Sequence, residues 1–122
     1  DELQIYSTDP KHCLQLISEA DLIFHLDHNQ CSRLRHPDLV MTAQASQAAR
    51  VLIDHHLDPE PGCDLVFSYP EASATCELIH SIICALGWRE YVTPELATLL
   101  LTGLITDTGR FMYSHLSPHL LS

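Results

Sequence analysis

Val51-Leu52-Ile53-Asp54-His55-His56 runs three apolar residues straight into an acid and two imidazoles. The apolar run is too short to be a helix and shows no alternation. It therefore predicts a strand covered on both faces, the usual situation of a central parallel strand. Leu57 to Gly62, which contains two prolines and a glycine, follows as loop. Upstream, Leu22-Ile23-Phe24-His25-Leu26 has the same form and delivers Asp27, predicting a second buried strand. Leu65 to Tyr69 predicts a third, nearer an edge.

Helical patterns lie around these runs. Lys11 to Glu19 predicts a short helix before the first strand. Pro37 interrupts any helix continuing from Gln30, so the next is expected from about Asp38 to about Ala49. Ala72, Cys76, Ile79, Ile83 and Leu86 repeat at three- and four-residue spacing, with Gly87 placed to stop the helix. Thr93-Pro94-Glu95 supplies a capping hydroxyl, a proline at the first helical position and an acid in the first turn. That helix is expected to run through Leu96, Leu99 and Leu100 towards Ile105. Strands alternating with helices predict an α/β domain with a mainly parallel sheet, in which ligands bind outside the carboxyl ends of the strands. Residues 112–122 are expected to form a weakly patterned trailing segment.

The bulk composition bounds the function less than the pattern does. The chain has 122 residues, 46% hydrophobic and 18% charged, which fits one domain with a sizeable core. No run reaches the ~18 apolar residues needed to cross a membrane, and no signal peptide is visible. The chain opens at Asp1 rather than methionine and is expected to be trimmed, processed or partial. Sixteen acids against six Lys and Arg give a formal net charge of −10, opposite to a groove that tracks long nucleic acid. A short nucleotide held through cations remains compatible. Five cysteines at 13, 31, 63, 76 and 84 are an odd count without short-spaced pairs, which argues against a disulfide framework or a structural zinc cluster. Cys76 and Cys84 are expected as small core residues, and the cytoplasm as the compartment.

Three polar clusters carry candidate chemistry: Asp27-His28-Asn29, Asp54-His55-His56 and Thr106-Asp107-Thr108-Gly109-Arg110. Acids at the ends of rigid strands can be held where several strand ends converge, as a preorganised ligand set requires. Carboxylate with neutral imidazole suits Mn, Fe, Co or Zn, whereas carboxylate and water alone would lean to Mg. A solvated strand end is the plainer account of the histidines, and a turn-forming helix end the plainer account of Asp107. Against the latter, Asp107 is expected to be a buried acid in a glycine-flanked turn, which needs a compensating partner. Ser73 and Thr75 read as residues of a helix start.

In these motifs the chain resembles the DHH phosphoesterase superfamily, in particular its branch of small oligoribonucleases and phosphoadenosine-phosphate phosphatases. Asp54-His55-His56 matches the name-giving motif. Asp27, Asn29 and Arg33 match the strand-end motif before it, and Gly103-Leu104-Ile105-Thr106-Asp107-Thr108-Gly109-Arg110-Phe111 matches the fourth. The resemblance covers essentially the whole chain. It implies a three-layer, Rossmann-like core with residues 1–122 as part of one DHH domain. Asp27 would bridge two Mn2+ ions, with Mg2+ or Co2+ as substitutes, while His55 and Asp107 would bind the second ion. His56 would face the substrate phosphate and Asp54 would orient a histidine. Asn29 and Arg33 would support the metal loop, Gly109 would permit a tight turn, and Arg110 would lie near the scissile phosphate. The implied reaction is two-metal hydrolysis of short oligoribonucleotides from the 3′ end, or of 3′-phosphoadenosine 5′-phosphate, with no long nucleic acid or membrane as partner and a homodimer admitted.

The family's first motif, a histidine with two aspartates, has no counterpart before Asp27, and a C-terminal DHHA1 domain is not represented. Metal binding by these residues alone is therefore expected to be partial, and the chain inactive by itself. A manganese-dependent family II pyrophosphatase, a RecJ-like single-strand exonuclease and a non-catalytic interaction module are the competing readings.

Overall fold

The computed structural model describes residues 3–110, in which three strands pair in parallel in the order β1-β2-β3. They are β1 Leu22–Leu26, β2 Ala49–Asp54 and β3 Leu65–Ser68. Around them lie α1 Pro10–Glu19, α2 Pro37–Ala45, α3 Thr75–Ala85 and α4 Pro94–Asp107. Phe24, Val51 and Leu65 are in register, as are His25, Leu52 and Val66, so each trio occupies one face of the sheet. Val40 and Ala43 of α2 close a small cavity over His25 and Leu52. Leu78 and Ile82 of α3 lie beside Phe67 on the other face. The result is the expected α/β sandwich of helix, parallel sheet and helix.

The core is centred on β2, where Leu52 and Ile53 are buried and Asp54 is fully enclosed. β1 departs from expectation. Its run suggested burial on both faces, yet Leu22, Phe24 and Leu26 are 48%, 54% and 44% exposed. It is an edge strand here, and an apolar run records that a strand favours cover without recording which neighbour supplies it.

Local chemistry sets most boundaries. Asp9 accepts from the His12 N–H to start α1, with Pro10 in its first turn. Thr93 does the same for Leu96 at the start of α4. Gly87, at φ 74°, ends the α3 turn, where only a residue tolerant of left-handed backbone fits easily. Two boundaries moved. α2 stops at Ala45 rather than near Ala49, because Ala49 is committed to the ladder opposite Leu22, and Ser46, which ends the helix in extended backbone, accepts from the Ala48 N–H. Tertiary pairing overrides the good helix propensity of this alanine-rich stretch. α3 starts at Thr75, since Ala72 closes a turn onto Tyr69 instead.

α3 and α4 approach closely at one point. A Cβ added to Gly103 would come within 2.3 Å of Cys76 Sγ. Cys76 and Cys84 are half-buried rather than core residues, because each lies on the flank of α3. No described helix is long and apolar enough to cross a membrane. Phe111 and the trailing segment expected at 112–122 lie outside the described residues.

Candidate metal centre

The site grows from the carboxyl ends of β1 and β2. Asp27 continues the ladder by donating its N–H to the Ile53 carbonyl at 3.1 Å, and then turns into left-handed backbone at φ 61°. Aspartate tolerates that conformation better than most residues. Its Oδ1 accepts from the Thr75 hydroxyl at 2.9 Å. Asp54, at the end of β2, is sealed from solvent. It accepts from the His56 N–H at 2.9 Å and from His56 Nδ1 at 2.8 Å. A carboxylate can only accept, so the His56 proton sits on Nδ1 and Nε2 is left with its lone pair.

His55 is oriented in the same way by a different group. Its Nδ1 lies 3.2 Å from the Ala72 carbonyl, which again places the proton on Nδ1. Its Nε2 then faces Asp107 Oδ2 at 3.3 Å and Asp27 Oδ1 at 3.7 Å. In neutral histidine this directs a lone pair at two carboxylates, an arrangement that calls for a second proton or a cation between them. Asp27, His55 and His56 each offer a ligand atom within 4.8 Å of the others. Carboxylate oxygen with two imidazoles whose far nitrogens are fixed by a carbonyl and a buried acid is a donor set that fits a divalent transition metal.

Asp107 is the last residue of α4, not part of the turn beyond it, and its side chain is 39% exposed. The expected buried acid is therefore corrected. It reaches the centre from a helix end open to solvent and requires no compensating partner for burial. Beyond it, Thr108 is buried, and Gly109 and Arg110 both take left-handed backbone, with Arg110 N–H bonded to the Ile105 carbonyl at 2.9 Å. Arg110 lines a hollow with Thr102, Ile105 and Thr106. Asp27, Thr75 and Asp107 line another.

Asn29 does not join the metal cluster. Its amide donates to the Leu57 carbonyl and, at 3.4 Å, to that of Asp58, while its Oδ1 accepts from Arg33 Nη1 at 3.4 Å. Together with the Glu60 N–H on the Asn29 carbonyl at 2.7 Å, these bonds tie the loop after Asp27 to the loop after His56. His28 turns away to the Leu26 carbonyl and His25. Burial pushes the Cys76 thiol up, and the carboxylates of Asp107 and Asp27 act in the same direction. Thr75 and the Ala72 carbonyl escaped the sequence reading. Each lies far in sequence from the ligand it touches, and a hydroxyl at a helix start has an ordinary local explanation.

A parallel sheet whose carboxyl edge brings oriented imidazoles to a carboxylate defines an α/β domain with a candidate divalent-metal site. Within that class the chain belongs to the DHH family, whose N-terminal domain matches residues 3–104. It is 39% identical over 72 residues to the bifunctional oligoribonuclease and PAP phosphatase NrnA of Thermus thermophilus, covering 57% of this chain and 21% of that protein. It is 32% identical over 107 residues to the cyclic-di-AMP phosphodiesterase GdpP of Geobacillus thermodenitrificans, covering 84% of this chain and 15% of that one. The crystal structure of an exopolyphosphatase-related protein from Bacteroides fragilis superposes with a TM-score of 0.91 at 34% identity, over 98% of this chain and 34% of its own. The chain thus spans about a fifth or less of these two curated relatives.

Proposed function

We propose that residues 1–122 form part of the DHH domain of a manganese-dependent phosphoesterase acting in the cytoplasm on short oligoribonucleotides from the 3′ end, on 3′-phosphoadenosine 5′-phosphate, or on both. The observation that carries the reading is His55 Nε2, whose lone pair is held by Ala72 towards Asp27 and Asp107. Asp27, His55 and Asp107 would hold the metal, with two ions in the complete site. Bound divalent metal supplies Lewis acidity, making water a stronger acid and offsetting charge on phosphoryl oxygens. His56 would face the phosphate through Nε2, and buried Asp54 stabilises the imidazolium if that nitrogen takes a proton. Arg110, three residues beyond Asp107, would offset phosphate charge. Asn29 and Arg33 keep the two site loops together. The formal charge of −10 supports a short substrate held through cations over a polymer tracked along a basic groove.

A second reading has its own support, because the match to the cyclic-di-AMP phosphodiesterase covers 84% of the chain. Assaying the complete protein with Mn2+ against dinucleotides, 3′-phosphoadenosine 5′-phosphate, cyclic di-AMP, pyrophosphate and long single-stranded DNA separates the cases. Preference for the first two is expected. Turnover confined to cyclic di-AMP, pyrophosphate or long DNA would select the corresponding alternative, and no turnover of any would select a non-catalytic module.

A further inference from the structure

We infer that the segment Ala72–Thr75, leading into α3, is a positioning device that sets two metal ligands from two different strands against one helix end. This rests on the metal reading of the site proposed above. Asp27 hangs from the loop after β1 and His55 from the loop after β2, and neither backbone by itself determines where the reactive atom points. Thr75 supplies the missing constraint on Asp27 by donating its hydroxyl to Oδ1 at 2.9 Å. Ala72 supplies it on His55 by accepting from Nδ1 at 3.2 Å.

The segment is rigid for reasons visible in its surroundings. Ala74 is fully buried and Thr75 is 4% exposed, so neither can shift without displacing packed neighbours. Glu77, in the first turn of α3, accepts the Ser73 N–H at 2.7 Å, which ties the residue before the N-cap Ala74 to the helix. One hydrogen bond on Oδ1 occupies one of that oxygen's lone pairs and stops the carboxylate rotating. The remaining lone pairs of Asp27 are thereby aimed at the space shared with His55 Nε2. Thr75 is a positioning residue, acting through Asp27.

Removing an outer partner of a metal ligand typically weakens metal binding about 10- to 100-fold. Mn2+ titration of the complete protein, followed by the electron paramagnetic resonance of free Mn2+, compares wild type with Thr75→Val and Thr75→Ser, with thermal unfolding of the metal-free forms alongside. Valine keeps the shape and deletes the donor, whereas serine keeps the donor. The expected result is a loss of about 10- to 100-fold in Mn2+ affinity for Thr75→Val, near-wild-type affinity for Thr75→Ser, and no parallel ordering in metal-free stability. Should Thr75→Val not fold, Thr75→Ala deletes the same donor and carries the comparison. Unchanged affinity in the donor-less variant, or equal losses in valine and serine forms, would overturn the inference while leaving the metal centre standing. Absence of Mn2+ binding by the complete wild-type protein would overturn the metal reading, and the inference with it.

Discussion

At the scale of single residues, the centre is controlled by groups that do not themselves meet a substrate. Asp54 is the clearest, enclosed at the end of β2 and accepting two N–H bonds from His56. Asp54→Asn preserves volume but replaces one acceptor oxygen with a donor, so one His56 N–H loses its partner in a buried place. Leaving a buried donor unpaired costs about 1–3 kcal/mol, which a lowered urea midpoint would show. Turnover by the complete protein with Mn2+ should fall as well, because the His56 tautomer that faces the phosphate is no longer fixed. Unchanged values of both would show that the pair does not orient His56. Asp27, His55 and Asp107 were legible as candidates from sequence because strand ends and a helix end announce themselves through the apolar runs before them. The burial of each was not legible. Asp54 is sealed while Asp107 is open, although both follow apolar segments, because burial depends on what the other elements place over them.

Among the elements, the contact between α3 and α4 turns on one pair. Alanine is preferred to glycine in a helix by about 1 kcal/mol, so Gly103→Ala would stabilise an isolated α4. In the folded chain the new Cβ would meet Cys76 Sγ at 2.3 Å, and overpacking of this kind costs about 1–3 kcal/mol. The expected net effect is a lower melting temperature for Gly103→Ala alone and recovery to at least the Cys76→Ala value in the double variant. A double-mutant cycle without coupling would refute the contact. The start of α4 was fully readable, because Thr93, Pro94 and Glu95 act within one turn. Thr93→Ala should lower stability by about 1 kcal/mol, read by chemical denaturation. Glu95 has its carboxyl held below its ordinary value by its own backbone N–H and the Thr93 hydroxyl. The folded state thus binds this proton less tightly than the unfolded chain. Its contribution is present above the unfolded value of 4.5 and is lost as pH falls through the folded one. Glu95→Gln should flatten that part of the pH–stability curve. The end of α2 was less readable, since the pairing of Ala49 with Leu22 that cuts it short is a long-range event.

Across the whole molecule, the sheet gathers negative charge at one edge of an already acidic chain. Among the described residues, Asp27, Asp54 and Asp107 converge there around His55 and His56, and the formal balance of −10 provides no general positive field to offset it. A cation at this edge therefore relieves repulsion as well as completing a ligand set. Its binding to the folded state alone must raise stability by mass action, by about 2.7 kcal/mol at a free concentration 100 times the dissociation constant. Simple screening by monovalent salt would also raise stability, but gradually and without saturation, because it acts on every exposed charge. The two are distinguishable in a thermal melt. Mn2+ should raise the unfolding midpoint along a saturating curve at constant ionic strength, and a chelator should reverse it. His55→Ala, which removes the nitrogen facing both Asp27 and Asp107, should abolish the Mn2+ increment while leaving the response to monovalent salt intact. An equal Mn2+ increment in wild type and His55→Ala would show that the ions act on diffuse surface charge, and that the converging acids and imidazoles do not form a metal centre.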